Sequence, residues 1–344
     1  MMVDIANALS QEHHVDFLTF RNDKVLQPLN EKVHHIHNEL YKNKFKLFEN
    51  MGQIYNLHKF LKVGDYDVAI AFLHPSNYML TLAAKGTKTK VLLSERADPY
   101  SRKKNGGLFV YCIENILRLA DGFVFQSDGA KELYPLKCQK KGTVIVNSIP
   151  DNVNEVQYVG NRKKTVVHVA RMELIQKRQD IMLKAFKLFS ESHPEYMLEF
   201  YGDGPDEDKV KKLAMDMEIA DKVEFKGVQK NILKSICDAG MFVLTSDYEG
   251  LPNALLEAAA VGVPCISTDC SPGGARMIIE NDYNGFIVPC GDYEMLAGKM
   301  SELADDEEKA DRFSKNAVNV MVKFNPSTIY PQWKAFIEGL GTRI

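Results

Sequence analysis

The chain has 344 residues, 45% apolar and 26% charged, with a formal net charge of −3. These values lie near globular averages and exclude a disordered tail protein, a collagen-like chain and a coiled-coil rod. Residues 1–150 carry 20 basic and 15 acidic side chains, a net of +5, whereas residues 151–344 carry 23 and 31, a net of −8. A basic first half suits an anionic surface, although ordinary scatter of surface charge gives the same numbers. No window approaches the roughly 18 uninterrupted apolar residues of a membrane-spanning helix. The first twenty residues lack the basic start and apolar block of a secretory signal. Six cysteines without a C-x-x-C pair read as reduced thiols of a cytoplasmic protein, not as disulfides or a zinc site.

In chain order, Met1–Ser10 reads as a helix and Val15–Phe20 as a strand. A β-α-β domain is expected to open with a strand and a loop before such a helix, so the sequence reads as truncated or misassigned at its start, the alternative being an unusual fold that begins with a helix. Residues 38–61 form a helical stretch with Tyr41, Phe45, Phe48, Ile54, Tyr55 and Phe60, interrupted by Lys42, Lys44 and Lys46. A basic amphipathic helix can lie on an anionic membrane; the alternative is a face packed on a sheet. Asp65-Tyr-Asp67 reads as a loop and not a metal site. Strands are expected at Val68–Leu73, Lys90–Ser94, Gly122–Gln126 and Thr143–Val146. His74, Glu95 and Arg96 follow strand ends, and each has a plain reading as a surface or paired residue.

The turn-forming stretch Ser148–Asn161 places a boundary, with a second domain from about residue 151. Further strands are expected at Val166–Ala170, Met197–Gly202, Val223–Lys226, Met241–Thr245, Cys265–Thr268 and Phe286–Val288. Nearly continuous apolar runs separated by helical segments give an α/β fold with two parallel sheets. Ligands of such sheets bind beyond the carboxyl ends of strands. Arg171 and Lys177 lie there, and two fixed cations suit a diphosphate, each charge-assisted hydrogen bond contributing about 1.5–3 kcal/mol. Glu249-Gly-Leu-Pro-Asn-Ala-Leu-Leu-Glu257 also follows a strand. Pro252 suits the first helical position, leaving the amides of Asn253, Ala254 and Leu255 as an anion site. Glu249 and Glu257 can accept hydrogen bonds from polyol hydroxyls; solvated helix residues are the bland alternative. Gly202-Asp-Gly204-Pro205 lacks the third glycine of a dinucleotide fingerprint and reads as a tight turn with Pro205 starting a helix. Gly273-Gly274 lets backbone approach a ligand or simply turns the chain.

Together these residues resemble the family 4 glycosyltransferases of the GT-B fold. The Glu-x7-Glu pattern matches Glu249 and Glu257, the Arg…Lys pair matches Arg171 and Lys177, and the Gly-x-Gly-Pro turn matches Gly202, Gly204 and Pro205. Weaker similarity runs through Ser94–Pro99, Ala120–Ser127 and Asn147. The resemblance implies two Rossmann-like parallel-sheet domains facing across a cleft: residues 1–150 on the acceptor side, 151–325 binding a nucleotide-sugar, and 326–344 as a helix crossing back to the first. It implies a retaining, metal-independent transferase that needs no cofactor, with a nucleoside-diphosphate sugar, most simply a UDP-sugar, as co-substrate. Arg171 and Lys177 would hold the diphosphate, with Gly202 and Gly204 nearby. Glu257 would hold the ribose and Glu249 the transferred sugar, with Asn253, Ala254 and Leu255 completing the site.

The acceptor would be a glycan or polyprenyl-linked glycan of cell-surface polysaccharide synthesis, met by His74, Glu95 and Arg96. The location would be cytoplasmic or peripheral on the inner face of the plasma membrane, with no nucleic-acid partner. Two departures stand out. The usual first strand and glycine-rich loop are absent, which would threaten folding of the first domain. Met277 also stands where a Glu is common. Rival readings are a sugar-nucleotide epimerase of the same fold, a truncated non-catalytic relative and, more remotely, an NAD dehydrogenase. Trp333, in the helical segment Pro326–Leu340, reads as packing.

Overall fold

A computed structural model describes residues 1–19, 28–37, 46–96, 107–156, 158 and 160–341. Phe20, Tyr41, Lys42, Lys44, Phe45 and Ala97–Pro99, singled out above, lie outside the described residues. The chain divides into two compact units, Met1–Ser148 with Ser327–Ile344, and Ile149–Pro326.

In the first unit, the helix Met2–Leu9 leads into β1 (Val15–Thr19). β1 pairs in parallel with β2 (Val33–His37), a strand the sequence reading missed. Only Val33 and Ile36 of β2 are aliphatic, so no apolar run marks it. Its histidines are used locally instead: His34 lies 3.0 Å from Asp16, and His35 and His37 each lie 3.2 Å from Thr19 Oγ1. β3 (Val68–Phe72), β4 (Lys90–Ser94), β5 (Gly122–Phe125) and β6 (Gly142–Val144) form a separate parallel sheet in that order. The described strands of this unit therefore make two sheets, where one was expected.

The core of this unit stacks Phe123 on Phe125 at 5.9 Å, with Tyr134 against both. The helix Lys46–Gly64 lays Leu57 and Leu61 into that core, with Ile54 and Phe60 packed beside them. Its opposite face leaves Met51, Tyr55, Lys59, Lys62 and Val63 exposed. The helix Pro326–Gly341 buries Trp333 against Phe72, ring centres 5.9 Å apart. A Cβ at Gly122 would lie 2.8 Å from Leu340, so glycine there lets this helix approach β5.

The second unit is one six-stranded parallel sheet, ordered β12-β11-β10-β7-β8-β9. Its strands are β7 (Lys163–Val169), β8 (Met197–Tyr201), β9 (Val223–Gly227), β10 (Ala239–Leu244), β11 (Cys265–Thr268) and β12 (Gly285–Val288). β7 starts three residues before its apolar run, because Lys163 pairs through its backbone with Ala239 of β10 while its side chain reaches Asp238 at 2.8 Å. Phe186 and Phe189 from the helix Gln179–Ser192, with Leu296 and Met300 from Tyr293–Asp305, bury one face.

From β7 the chain steps outward through β8 to β9, then returns to β10 on the other side of β7 and runs on to β11 and β12. The connections after β7 and after β10 thus leave in opposite directions, which opens a crevice at their carboxyl ends. No helix among the described residues is long and apolar enough to cross a membrane.

Phe125 is fully buried, so Phe125→Ala is expected to cost about 3–5 kcal/mol. Trp333 is the single tryptophan and packs in the same unit, so its fluorescence should report a lower denaturant midpoint. An unchanged midpoint would contradict this packing.

Candidate active site

The crevice of the second unit is built from three loops. The first follows β7 and carries Arg171, whose side chain is 65% exposed and 3.7 Å from Glu173. Its backbone is held tightly. The Gln179 side-chain amide donates to Arg171 O at 2.9 Å, and Met172 N–H donates to Asp203 O at 2.8 Å. An added Cβ at Gly202 would overlap the Ala170 carbonyl, and one at Gly204 the Met172 carbonyl. These two glycines therefore serve close packing of the turn after β8 on the loop that presents Arg171. The following helix starts at Glu207 and not at Pro205. Asp206 accepts from Leu174 N–H at 3.0 Å, which anchors the first loop again.

Lys177 ends the short helix Leu174–Lys177 and forms an ion pair with Glu249 from the loop after β10. Both side chains are largely buried, 17% and 11% exposed. Ser246 Oγ donates to the same Glu249 oxygen at 2.7 Å. The two loops are also joined through backbone. Thr245 Oγ1 donates to Lys177 O at 2.8 Å, Gln176 Nε2 to Tyr248 O at 3.0 Å, and Asp247 N–H to Gln176 O at 2.9 Å.

Arg178, which the sequence reading passed over, sits between the two helices with φ 52° and ψ 47°. A left-handed backbone costs a non-glycine residue about 1–2 kcal/mol. Its guanidinium grips Asp180 at 3.0 Å through Nε and through NH2, and Asp247 at 2.9 and 3.2 Å through NH1. Asp180 and then Asp247 raise its pKa further, against the pull of burial. Nothing in sequence marks a positive φ at an arginine; the following Asp180 is the one available signal.

The third loop follows β11. Glu249 N–H donates to Ser271 O at 2.7 Å, and an added Cβ at Gly274 would overlap the Gly250 carbonyl. Close backbone approach thus accounts for Gly274. The helix after Glu249 spans Asn253–Ala260, with Pro252 as its N-cap and not its first residue as expected. The first helical bond runs from Leu256 N–H to Pro252 O at 3.1 Å. The amides of Ala254 and Leu255 are therefore in the first turn, where the helix offers them no acceptor. The carboxyl of Glu257, one turn in, has no hydrogen-bond partner among the described residues, while its backbone carbonyl accepts from Val261 N–H at 3.2 Å. Burial pushes its carboxyl up to about 7.

In the first unit, His74 follows β3 and lies near Tyr78, ring centres 6.0 Å apart. Glu95 is buried and accepts from the Tyr134 hydroxyl. Arg96 does not pair with Glu95. It donates to Ser94 Oγ at 2.7 Å and Asn147 Oδ1 at 2.6 Å, and covers the Phe72 and Trp333 rings at 5.6 and 5.2 Å. Burial pulls this guanidinium down to about 9, against the Glu95 charge. Thus Lys177, Glu249 and the Asn253 helix meet in one crevice with the Arg171 loop, while Glu95 and Arg96 are engaged in their own unit. Among the described residues no group of three His, Cys, Asp or Glu is arranged to hold a metal ion.

A family model described as "Glycosyl transferases group 1" matches residues 153–320. The GalNAc-alpha-(1->4)-GalNAc-alpha-(1->3)-diNAcBac-PP-undecaprenol alpha-1,4-N-acetyl-D-galactosaminyltransferase of Campylobacter jejuni is 26% identical over 346 aligned positions, 98% of this chain and 93% of its own. An uncharacterised glycosyltransferase of Methanocaldococcus jannaschii is 27% identical over 295 residues, 73% of this chain and 72% of its own. Among solved structures, Anabaena HepE in complex with UDP and glucose has a TM-score of 0.79 at 16% identity, covering 98% of this chain and 94% of that one.

A carboxyl group whose folded pKa lies above its unfolded value binds protons better when folded. Glu257 should therefore make the protein less stable as pH rises from about 4.5 to about 7. Glu257→Gln removes this loss. Its stability relative to wild type should rise by roughly 2–3 kcal/mol between pH 4.5 and 8, read by urea unfolding. A difference independent of pH would contradict the burial of this carboxyl.

Proposed function

The chain is a glycosyltransferase of the GT-B fold with its group 1 domain at residues 153–320, and from that premise we propose retaining, metal-independent transfer from a UDP-sugar to a glycan or polyprenyl-linked acceptor. The observation that carries this reading is the meeting, at the switch point between β7 and β10, of Lys177, the Glu249 carboxylate and a helix N-terminus, beside the loop that carries the exposed Arg171. Two relatives support it. The Campylobacter protein is named for transfer to an undecaprenyl-diphosphate-linked glycan, and HepE was solved with UDP and glucose.

In the proposed reaction an acceptor hydroxyl attacks the anomeric carbon as the bond to the donor phosphate breaks. The electron pair leaves with UDP, and the hydroxyl proton passes to the departing phosphate oxygen. Negative charge grows on the diphosphate, where Arg171, Lys177 and the first-turn amides near Asn253, Ala254 and Leu255 would meet it. Lys177 would turn from Glu249 to the phosphate, and Glu249 would be released to accept from sugar hydroxyls. Glu257 would accept from the ribose. Gly202 and Gly204 would contribute by holding the Arg171 loop.

His74, Glu95 and Arg96 remain our candidates for the acceptor side. Of these, Glu95 is buried and accepts from the Tyr134 hydroxyl. The work belongs to polysaccharide or glycolipid synthesis. A location at the cytoplasmic face of the plasma membrane fits the exposed Met51, Tyr55, Lys59 and Lys62 on one helix.

The test is turnover with a panel of UDP-, GDP- and ADP-sugars and a polyprenyl-diphosphate-linked glycan, in the presence and absence of EDTA. UDP release with an α-linked product from an α-linked donor, unaffected by EDTA, is expected. Arg171→Ala and Lys177→Ala should each weaken UDP binding by about 10- to 100-fold. An inverted product, loss of activity with EDTA, or an altered free nucleotide-sugar without transfer would overturn the proposal.

A further inference from the structure

Lys177 can meet a phosphate only from a loop that stays where it is when Glu249 lets go. The helix Leu174–Lys177 is a single turn, too short to hold itself. The residue that joins it to the long helix Gln179–Ser192 is Arg178, in a left-handed conformation that glycine would adopt without strain. The side chain of Arg178 is placed to hold that conformation. Its guanidinium reaches both ways, to Asp180 on the long helix and to Asp247 on the loop that carries Glu249. Both contacts of that arginine are made at 2.9–3.2 Å and are only partly exposed, 27% for Arg178.

We propose that Arg178 is a positioning residue of the transfer reaction, a clamp between the loops after β7 and β10 that aims Lys177 at the donor diphosphate. The proposal rests on the reading of this crevice as the donor site. Arg178 touches neither phosphate nor sugar. The Thr245 hydroxyl donates to the carbonyls of Lys177 and Arg178, and Asp247 N–H donates to Gln176 O; the grip of Arg178 on the Asp247 carboxylate would hold these loop-to-loop bonds in register. With the clamp gone, the ammonium of Lys177 would search a wider volume before meeting a phosphate oxygen.

The experiment is a double-mutant cycle read by calorimetric titration of the full chain with UDP. Arg178→Gly removes the clamp and relieves the backbone, so the variant is expected to fold. It should weaken UDP binding about ten-fold when Lys177 is present and less than two-fold in a Lys177→Ala background. Arg178→Lys retains a charge for Asp247 without the fork and should recover part of the loss. Asp247→Asn should resemble Arg178→Gly.

Equal losses in both backgrounds, or no loss in either, would overturn the clamp while leaving the donor site standing, provided Lys177→Ala itself weakens binding. A Lys177→Ala protein that binds UDP as wild type does would overturn the donor-site reading and the clamp with it. A fall in thermal midpoint with unchanged UDP affinity would assign Arg178 to stability alone and overturn the proposal.

Discussion

The ion pair between Lys177 and Glu249 joins residues 72 apart in sequence, and the candidate site depends on it. The pair exists because β7 and β10 are neighbours in the sheet, although two strands lie between them in the chain. A parallel sheet forces each connection to start at a carboxyl end, so the loops after these two strands emerge side by side. Because they then diverge, a crevice opens between them. The fold makes the crevice; the residues that follow the two strands give it its chemistry.

Charge balance in that crevice explains several features together. Lys177 and Glu249 are mostly withdrawn from water, and a buried pair is costly when either partner is left alone. Ser246 adds a hydrogen bond to the carboxylate, and Arg178 with Asp180 and Asp247 forms a second set of charges just beneath. Glu257, half-buried with a carboxyl that has no hydrogen-bond partner among the described residues, sits at the other extreme and holds its proton near neutrality. One carboxylate thus faces a cation, while the other has its charge disfavoured by burial. A polyanionic ligand would exchange one partner of Lys177 for another, without leaving the ammonium stranded.

Much of this was legible in sequence. Runs such as Val166–Ala170 and Met241–Thr245 are apolar because both faces of the sheet are covered. Residues just after a strand are therefore at its carboxyl end, whatever the rest of the fold does. That placed Arg171, Lys177 and Glu249 without further knowledge. The histidine-rich β2 was not legible, because its polar side chains are satisfied by Asp16 and Thr19 of β1 and leave no apolar run. Nor was Arg178, whose role depends on a backbone angle and on a contact 69 residues away. Gly202 and Gly204 were noticed as a motif, but packing against Ala170 and Met172 emerges only in three dimensions. Glu95 and Arg96 were read as lining the acceptor side, with mutual pairing as the alternative; in the structure Glu95 accepts from Tyr134 and Arg96 donates to Asn147.

The central claim is that the switch-point crevice holds the diphosphate of the donor. A crystal structure of the full chain soaked with UDP tests it most directly. The account predicts phosphate oxygens within hydrogen-bond distance of Arg171 and Lys177, with Lys177 withdrawn from Glu249 and the ribose on Glu257. UDP bound elsewhere, or bound here with the Lys177–Glu249 pair intact and no phosphate on either cation, would contradict it.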